Sequence, residues 1–159
     1  MSKSPQPRIR RAGPSDAASV RRLTREAYAQ WIPVIGREPL PMKADYEKAV
    51  REHEIDLLYS DGQLVALIEV VLMADHLFIE NIAVSPEHQG KGFGHYLLRH
   101  AEAKAKSAGL GELRLLTNQA FATNVRLYQS VGFLIDRTEP HFGGGTTVYM
   151  SKQLAGGES

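Results

Sequence analysis

Nine consecutive residues, Glu87-His88-Gln89-Gly90-Lys91-Gly92-Phe93-Gly94-His95, carry the most chemical content in this 159-residue chain. Glycines at three alternate positions let the backbone come close to a ligand, and a helix opening here would add unpaired N–H groups and the positive end of its dipole. Such a turn suits a pyrophosphate. Its GxGxG spacing is not the GxGxxG of dinucleotide folds, and no Ser or Thr follows Gly90-Lys91 as a P-loop requires. A strand-to-helix connection with no ligand uses glycine in the same way, so the turn needs further support. Upstream, Glu80 alternates with Phe78, Ile82 and Val84, which predicts a shared strand face. An apolar setting there would raise its carboxyl pKa and suit it to proton abstraction, the alternative being a carboxylate paired with a nearby Arg or Lys. Cysteine is absent, which removes disulfides, thiolate metal sites and cysteine nucleophiles. His76, Glu80 and His88 straddle a strand and a turn without metal-ligand spacing, so no metal is assigned.

The elements that must position these groups show as changes of hydrophobic period. Residues 8–12 predict a short strand, after which Ser15 or Asp16 caps a helix with Val20, Leu23, Ala27 and Trp31 on one face, ended by Pro33. A second helix starts near Pro41 and buries Met42, Tyr46, Ala49 and Val50. Residues 55–60 and 63–73 are strands joined by Asp61-Gly62, a pair suited to the positive φ angles of a tight hairpin, and 77–84 is the next antiparallel strand. Beyond Pro86 the period becomes helical, with Phe93, Leu97, Ala101, Ala105 and Ala108 in register up to Gly109. Residues 112–117 form a strand, 123–131 a helix, and 133–137 and 146–152 the last two strands. Four strands, helix, strand, helix and two strands, beside an N-terminal helical pair, make an α/β fold with a mixed sheet flanked by helices. The early antiparallel hairpins argue against a doubly wound nucleotide fold.

The run Asn81-Ile82-Ala83-Val84-Ser85-Pro86 followed by Gln89-Gly90-Lys91-Gly92-Phe93-Gly94 closely resembles the Q/R-x-x-G-x-G/A signature of the GCN5-related N-acetyltransferase (GNAT) family, with Gln89, Gly92 and Gly94 at its fixed positions. Leu127-Tyr128-Gln129-Ser130-Val131-Gly132-Phe133 is similar to the family's LYxxxGF segment. The resemblance runs from about residue 16 to 154 and is weakest before 55. It implies a mostly antiparallel sheet of six to seven strands, splayed between two central parallel strands, here 77–84 and 112–117, with the pantetheine arm of acetyl-CoA between them. Ile82 and Val84 would pair with pantetheine amides through their backbone, with Ala83 between them. Amides of Gln89, Gly90, Lys91, Gly92, Phe93, Gly94 and His95 would hold the pyrophosphate, Lys91 adding charge if it turns inward.

Many members have Asn seven residues before the LY tyrosine, where this chain has Phe121; Asn118 and Asn124 remain candidate cofactor contacts. Asn118 is otherwise a strand-end turn residue and Asn124 a helix-cap neighbour. The resemblance further implies acetyl transfer to a primary amine of a small metabolite, peptide or protein, and the absence of cysteine favours direct attack in a ternary complex, with a serine intermediate still open. Tyr128 stands at the general-acid position, Glu80 is the candidate base, and His141 or a water is the alternative. A non-catalytic acyl-CoA-binding sensor or regulatory module would keep the same cradle. Acceptor recognition is expected from the least regular stretches: Tyr28, Trp31, Pro33 and Phe142 could line an apolar slot, with Glu80, His141, Glu38, Asp45 or Glu139 near a cationic amine.

Composition narrows the classes. Hydrophobic residues are 43% and charged residues 23%, near globular averages, so residues 8–154 are expected to form one domain with frayed ends at 1–7 and 155–159. A formal charge of +1 gives no field for a nucleic-acid backbone or an anionic membrane. Neither a secretory leader nor a membrane span is visible, so a cytoplasmic location is expected. The final strands leave room for a homodimer.

Overall fold

The computed structural model describes residues 7–141 and 143–155, and among these seven strands share one sheet. The expectation of frayed ends falls mainly on residues 1–6 and 156–159, which lie outside the described residues, as does Phe142. In chain order the elements are β1 (Arg8–Arg11), α1 (Ala17–Tyr28), α2 (Ile32–Ile35), α3 (Tyr46–Glu52), β2 (Glu54–Ser60), β3 (Gln63–Leu72), β4 (Leu77–Val84), α4 (Phe93–Ser107), β5 (Glu112–Asn118), α5 (Ala122–Ser130), β6 (Leu134–Pro140) and β7 (Thr146–Gln153). The spatial order is β1-β2-β3-β4-β5-β7-β6, and only β4 and β5 run parallel. The mostly antiparallel sheet with one central parallel pair is therefore as expected.

That parallel pair is short. Leu77, Phe78 and Ile79 face Leu113, Arg114 and Leu115, and pairing stops there. Strand β4 nevertheless stays on β3 as far as Val84, and β5 stays on β7 as far as Asn118. The sheet consequently splits open beyond Ile79 and Leu115.

Each face of the sheet buries its own core. Under α4 and α5 lie Ile68, Val70, Leu77, Ile79, Ile82, Leu97, Leu98, Ala101, Leu113, Leu115, Tyr128 and Phe133. Under α1 and α3 lie Val20, Leu23, Ala27, Tyr46, Ile55, Leu57, Leu67, Ala83 and Phe121. The Asp61-Gly62 hairpin forms as predicted, with φ of 55° and 75°. On the first strand pair the buried carboxylate of Asp56 receives Arg11 Nε (2.9 Å) and His100 Nε2 (2.7 Å), with Lys104 Nζ at 3.3 Å, tying β2 to β1 and α4.

Several boundaries differ from the sequence reading. Pro33 does not end the first helix; it occupies the opening turn of α2, where a missing N–H costs nothing, and Gly36 at φ 76° stops the chain instead. The second helix does not begin at Pro41. A 3-10 turn over Leu40–Lys43 breaks off, and α3 starts at Tyr46, where the Asp45 side chain accepts from Lys48 N–H (3.1 Å). Asp16 precedes α1 but makes no side-chain cap; its carboxylate serves Arg10 and the Gly13 N–H. Ala108 is exposed just past the end of α4 rather than on its buried face.

The most consequential difference is at Glu80. The β3–β4 register passes from Glu69 opposite Asn81 to Val70 opposite Ile79, leaving Glu80 as the extra residue of a β-bulge. The bulge resets the alternation, so Ile82 and Val84 pack on the same core as Leu77 and Ile79. Glu80 is exposed and does not share their face, contrary to the expected apolar setting.

Candidate active site

Backbone alternation determines what the split presents. Ser85 N–H donates to Val65 C=O (2.9 Å), so Ala83 also turns its backbone groups toward β3. Ile82 and Val84 then face away from β3, toward the opening. Their carbonyls are already used: Tyr28 Oη donates to Ile82 O (3.3 Å), and Gln89 Nε2 donates to Val84 O (3.1 Å). What remains at the opening is the pair of N–H groups.

Beyond the strand, Gly90 and Gly92 adopt φ of 79° and 89°, which turn the chain sharply into α4. Among the described residues, none of the backbone N–H groups of Gly90, Lys91, Gly92, Phe93, Gly94 and His95 has a hydrogen-bond acceptor. Gly94 serves packing as well, since a Cβ there would lie 2.9 Å from the Leu127 side chain. A cavity of about 330 Å³ runs from this turn along Ile82, Ala83 and Val84 to Thr123, Asn124 and Leu127 of α5, with Tyr28 and Trp31 on its far wall. His88 lines it too, and its Nδ1 is buried without a hydrogen-bond partner. Free amides, two unused strand N–H groups and a narrow slot fit a pantetheine-diphosphate chain.

Gln89, Gly90, Gly92, Phe93, Gly94, His95 and Asn124 thus line one cavity together with Ile82, Ala83 and Val84. Lys91 is exposed and does not line the cavity. Asn118 lies elsewhere: its Oδ1 accepts from Ala120 N–H (2.8 Å), and it lines a second cavity. Trp31 stacks on Phe121 with ring centroids 4.9 Å apart, and Tyr28 meets Phe121 edge-on at 6.2 Å. Phe121 therefore fills, as core, the position where many relatives place Asn.

The second cavity, of about 560 Å³, opens on the α1 and α3 side of the split. It holds Tyr28, Glu80 and His141, all named from the sequence. It also holds Arg37, His53, Glu69 and Asn81, which the sequence reading did not assign. Glu69 is buried, and burial raises its pKa above the ordinary carboxylate range even though His53 Nδ1 donates to it at 2.6 Å; the charge of Glu80 adds to the rise. Tyr28 lines both cavities and joins them.

Tyr128 is 4% exposed and lines neither cavity; its ring packs on Phe133 at 5.8 Å. Burial alone drives its phenol pKa up, and it lies close enough to Tyr28 to disfavour that phenol's ionisation as well. Tyr128 is accordingly a protonated hydroxyl in the core near Tyr28, which lines both cavities. No helix among the described residues is long and apolar enough to cross a membrane, and no cluster of metal-binding side chains occurs among them.

Known proteins share this architecture. The structure of the PaiA N-acetyltransferase from Thermoplasma acidophilum, solved in complex with coenzyme A, superposes with a TM-score of 0.79 over 93% of this chain and 99% of that one, at 22% identity. The ribosomal-protein-S18-alanine N-acetyltransferase of Escherichia coli gives 0.75 over 97% and 99%, at 21% identity. In sequence, streptothricin acetyltransferase from Streptomyces lavendulae is 38% identical over 76 residues, covering 46% of this chain and 40% of that protein. The [Ribosomal protein bS18]-alanine N-acetyltransferase of Escherichia coli (strain K12) is 32% identical over 76 residues, covering 48% and 51%. The chain thus spans about half the length, or less, of these curated relatives. The family model described as Acetyltransferase (GNAT) family matches residues 19–133, a stretch that contains both the amide-rich turn and the Tyr128 segment. A split parallel pair, an unsatisfied glycine turn and that match together make this chain a member of the GNAT acetyltransferase family.

Proposed function

We propose that the protein transfers the acetyl group of acetyl-CoA to a primary amine of a small metabolite or peptide, by direct attack in a ternary complex. The single observation that carries this reading is the junction of two cavities at the split, one walled by free amides and the other by carboxylates. Acetyl-CoA supplies the thioester carbonyl that the amine attacks: a C–N bond forms and the C–S bond breaks, the ammonium nitrogen loses one proton to Glu80 before attack and a second to water as the amide forms, and the released thiolate takes its proton from solvent. Gly90 to His95 hold the diphosphate through their amides, and the N–H groups of Ile82 and Val84 orient the pantetheine arm. An N–H of this strand is also the candidate donor to the carbonyl oxygen.

An alkyl ammonium has a pKa of ~10.4, so baring its nitrogen at pH 7 costs ~4.6 kcal/mol. Glu80, at the bulge and facing the acceptor cavity, accepts that proton directly or through a water. Tyr128 stays protonated, since burial raises its pKa. It therefore acts by hydrogen bonding to the departing sulfur rather than by complete proton transfer. The absence of cysteine removes a cysteine acyl-enzyme route.

The test is acetyl-CoA-dependent thiol release across amines, amino acids, polyamines, aminoglycosides and peptides, with Glu80→Gln alongside. Turnover whose acidic limb flattens in the variant supports the assignment. Tight acetyl-CoA binding without turnover of any acceptor would instead favour an acyl-CoA sensor.

A further inference from the structure

The acceptor cavity is polarised. On its β3–β4 wall, Glu69 and Asn81 are cross-strand partners, so their side chains are neighbours on the face toward α1 and α3, with Glu80 at the adjoining bulge. The Asn81 carboxamide is 3% exposed. Its Nδ2 donates to Thr24 Oγ1 (3.2 Å) and Tyr46 Oη (3.4 Å), and Oδ1 has no partner. Tyr46 donates its only proton to Pro41 C=O (2.8 Å), so it can only accept from Asn81. That fixes the amide orientation and leaves a buried acceptor oxygen beside two carboxylates. A buried unsatisfied acceptor is costly, and an ammonium group is the partner that would satisfy it together with Glu69 and Glu80. The charged groups around Glu69 are His53 at the end of α3 and Glu80 on β4, with the Tyr28 and Tyr46 phenols of α1 and α3 nearby.

The far wall has the opposite sign. Arg37, just after α2, reaches the turn between β6 and β7. Its Nε and Nη2 donate to the carbonyls of Gly143 (3.4 Å) and Gly144 (3.2 Å), and Nη2 lies 3.4 Å from His141 Nδ1. No carboxylate pairs with this guanidinium among the described residues. His141 Nδ1 accepts from Gly143 N–H (3.0 Å). Thr117, Asn118 and Thr147 continue this wall with neutral polar groups. At the rim, Lys48 offsets only one of Asp45 and Glu52, which leaves that side net acidic like the inner carboxylates and opposite in sign to Arg37.

Building on the transfer reading above, we infer that this cavity takes a zwitterionic acceptor, a primary amine that also carries an oxyanion. Its ammonium sits among Glu69, Glu80 and Asn81 Oδ1, and its carboxylate or phosphonate sits on Arg37. Free α-amino acids and aminoalkylphosphonates share this chemistry. Polyamines, which carry a second cation, would place it against the guanidinium.

The experiment compares kcat/KM for four sets of acceptors: α-amino acids, aminoalkylphosphonates, the corresponding amino acid amides, and monoamines and diamines of matching length. Wild type and Arg37→Gln are run side by side. Zwitterions should exceed their amides by about tenfold or more. Arg37→Gln should raise KM for zwitterions at least about tenfold more than for amides. The two zwitterion sets together tell carboxylate from phosphonate. Glutamine can still donate to the Gly143 and Gly144 carbonyls, so a strap role for Arg37 would instead shift all acceptors equally, and that result overturns the inference. Amides, monoamines or diamines turned over as well as zwitterions would also overturn it while leaving acetyl transfer intact. No turnover of any set overturns the transfer reading, and the inference with it.

Discussion

Replacing Tyr128 with Phe separates catalysis from packing unusually well, because the structure gives the hydroxyl nothing to do in the folded protein. Tyr128 is 4% exposed, its ring lies against Phe133, and burial alone shifts its pKa. Removing an oxygen with no protein partner breaks no hydrogen bond within the fold and leaves the ring contacts in place, so Tm should hold. The transition state is different. A hydrogen bond to a sulfur that is acquiring charge is of the charged-partner kind, worth ~1.5 to 3 kcal/mol. At ~1.36 kcal/mol per tenfold, kcat should fall roughly 10- to 150-fold. Affinity for acetyl-CoA should change little, since the amide-rich turn and Ile82 to Val84 are untouched. Steady-state thiol release gives kcat, calorimetry gives the acetyl-CoA Kd, and a thermal melt gives Tm. Because the wild-type phenol titrates above its ordinary value, kcat should also show no loss from this group up to about pH 10. An unchanged kcat, or a loss matched by a comparable fall in Tm, would refute the role.

Three further outcomes are expected. Gly92→Val places a branched residue at φ 89°, where even an unbranched L-residue is strained by ~1–2 kcal/mol, and should weaken acetyl-CoA binding at least ~10-fold by calorimetry; wild-type affinity would detach the turn from the cofactor. Burial would raise the Asp56 pKa, but the hydrogen bonds from His100 and Arg11 and the charge of Lys104 outweigh it and hold the carboxyl down at about 2. Its stabilisation is therefore complete above the unfolded value of ~3.9 and is lost as pH falls from there toward 2, so Asp56→Asn should flatten acid unfolding in that window. Glu69 has the opposite sign: its raised pKa makes the folded state bind the proton more readily, so its charge weakens the fold above that pKa and the penalty vanishes below the unfolded one. Glu69→Gln should then gain Tm relative to wild type at neutral pH, converge with it in acid, and lose acceptor affinity; a uniform Tm loss at every pH would reject the buried-carboxylate reading.

The amide-rich turn, the helix behind it and the Tyr128 segment are legible because local rules decide them: glycine at positive φ, a helical period, a strand ended by Pro86. What escaped the sequence is decided by pairing between distant segments. Nothing near Glu80 announces a bulge, since the extra residue exists only relative to β3, and strict alternation therefore put Glu80 on the wrong face. Arg37 and His141 meet across 104 residues, a contact no single-sequence pattern encodes. Glu69 did leave a trace: it is the only charged residue in the otherwise apolar run Leu64 to Leu72, and a carboxylate in a buried strand calls for a partner. Phe121 departs from the family pattern in the sequence itself, but only the stacking on Trp31 explains it as core.

Splitting a sheet at its centre is costly, because every strand N–H and C=O released from a neighbour must find another partner or lose about 1–3 kcal/mol when buried. This chain meets the requirement asymmetrically. The carbonyls of Ile82 and Val84 are taken up by Tyr28 and Gln89, side chains from a helix on one side and from the glycine turn on the other. The corresponding N–H groups are left for the ligand. Gln89, read from the sequence as one more amide for pyrophosphate, thus acts through its side chain as a brace for the strand proposed to receive the pantetheine arm. Tyr28 does the same at the wall between the two cavities. The fold leaves free donors at the glycine turn and strand β4 and an unpartnered acceptor, Asn81 Oδ1, which the proposed reading assigns to the cofactor and the amine. On the proposed mechanism, the polarity of these unsatisfied groups, more than any one catalytic side chain, orients the two substrates toward each other across the split.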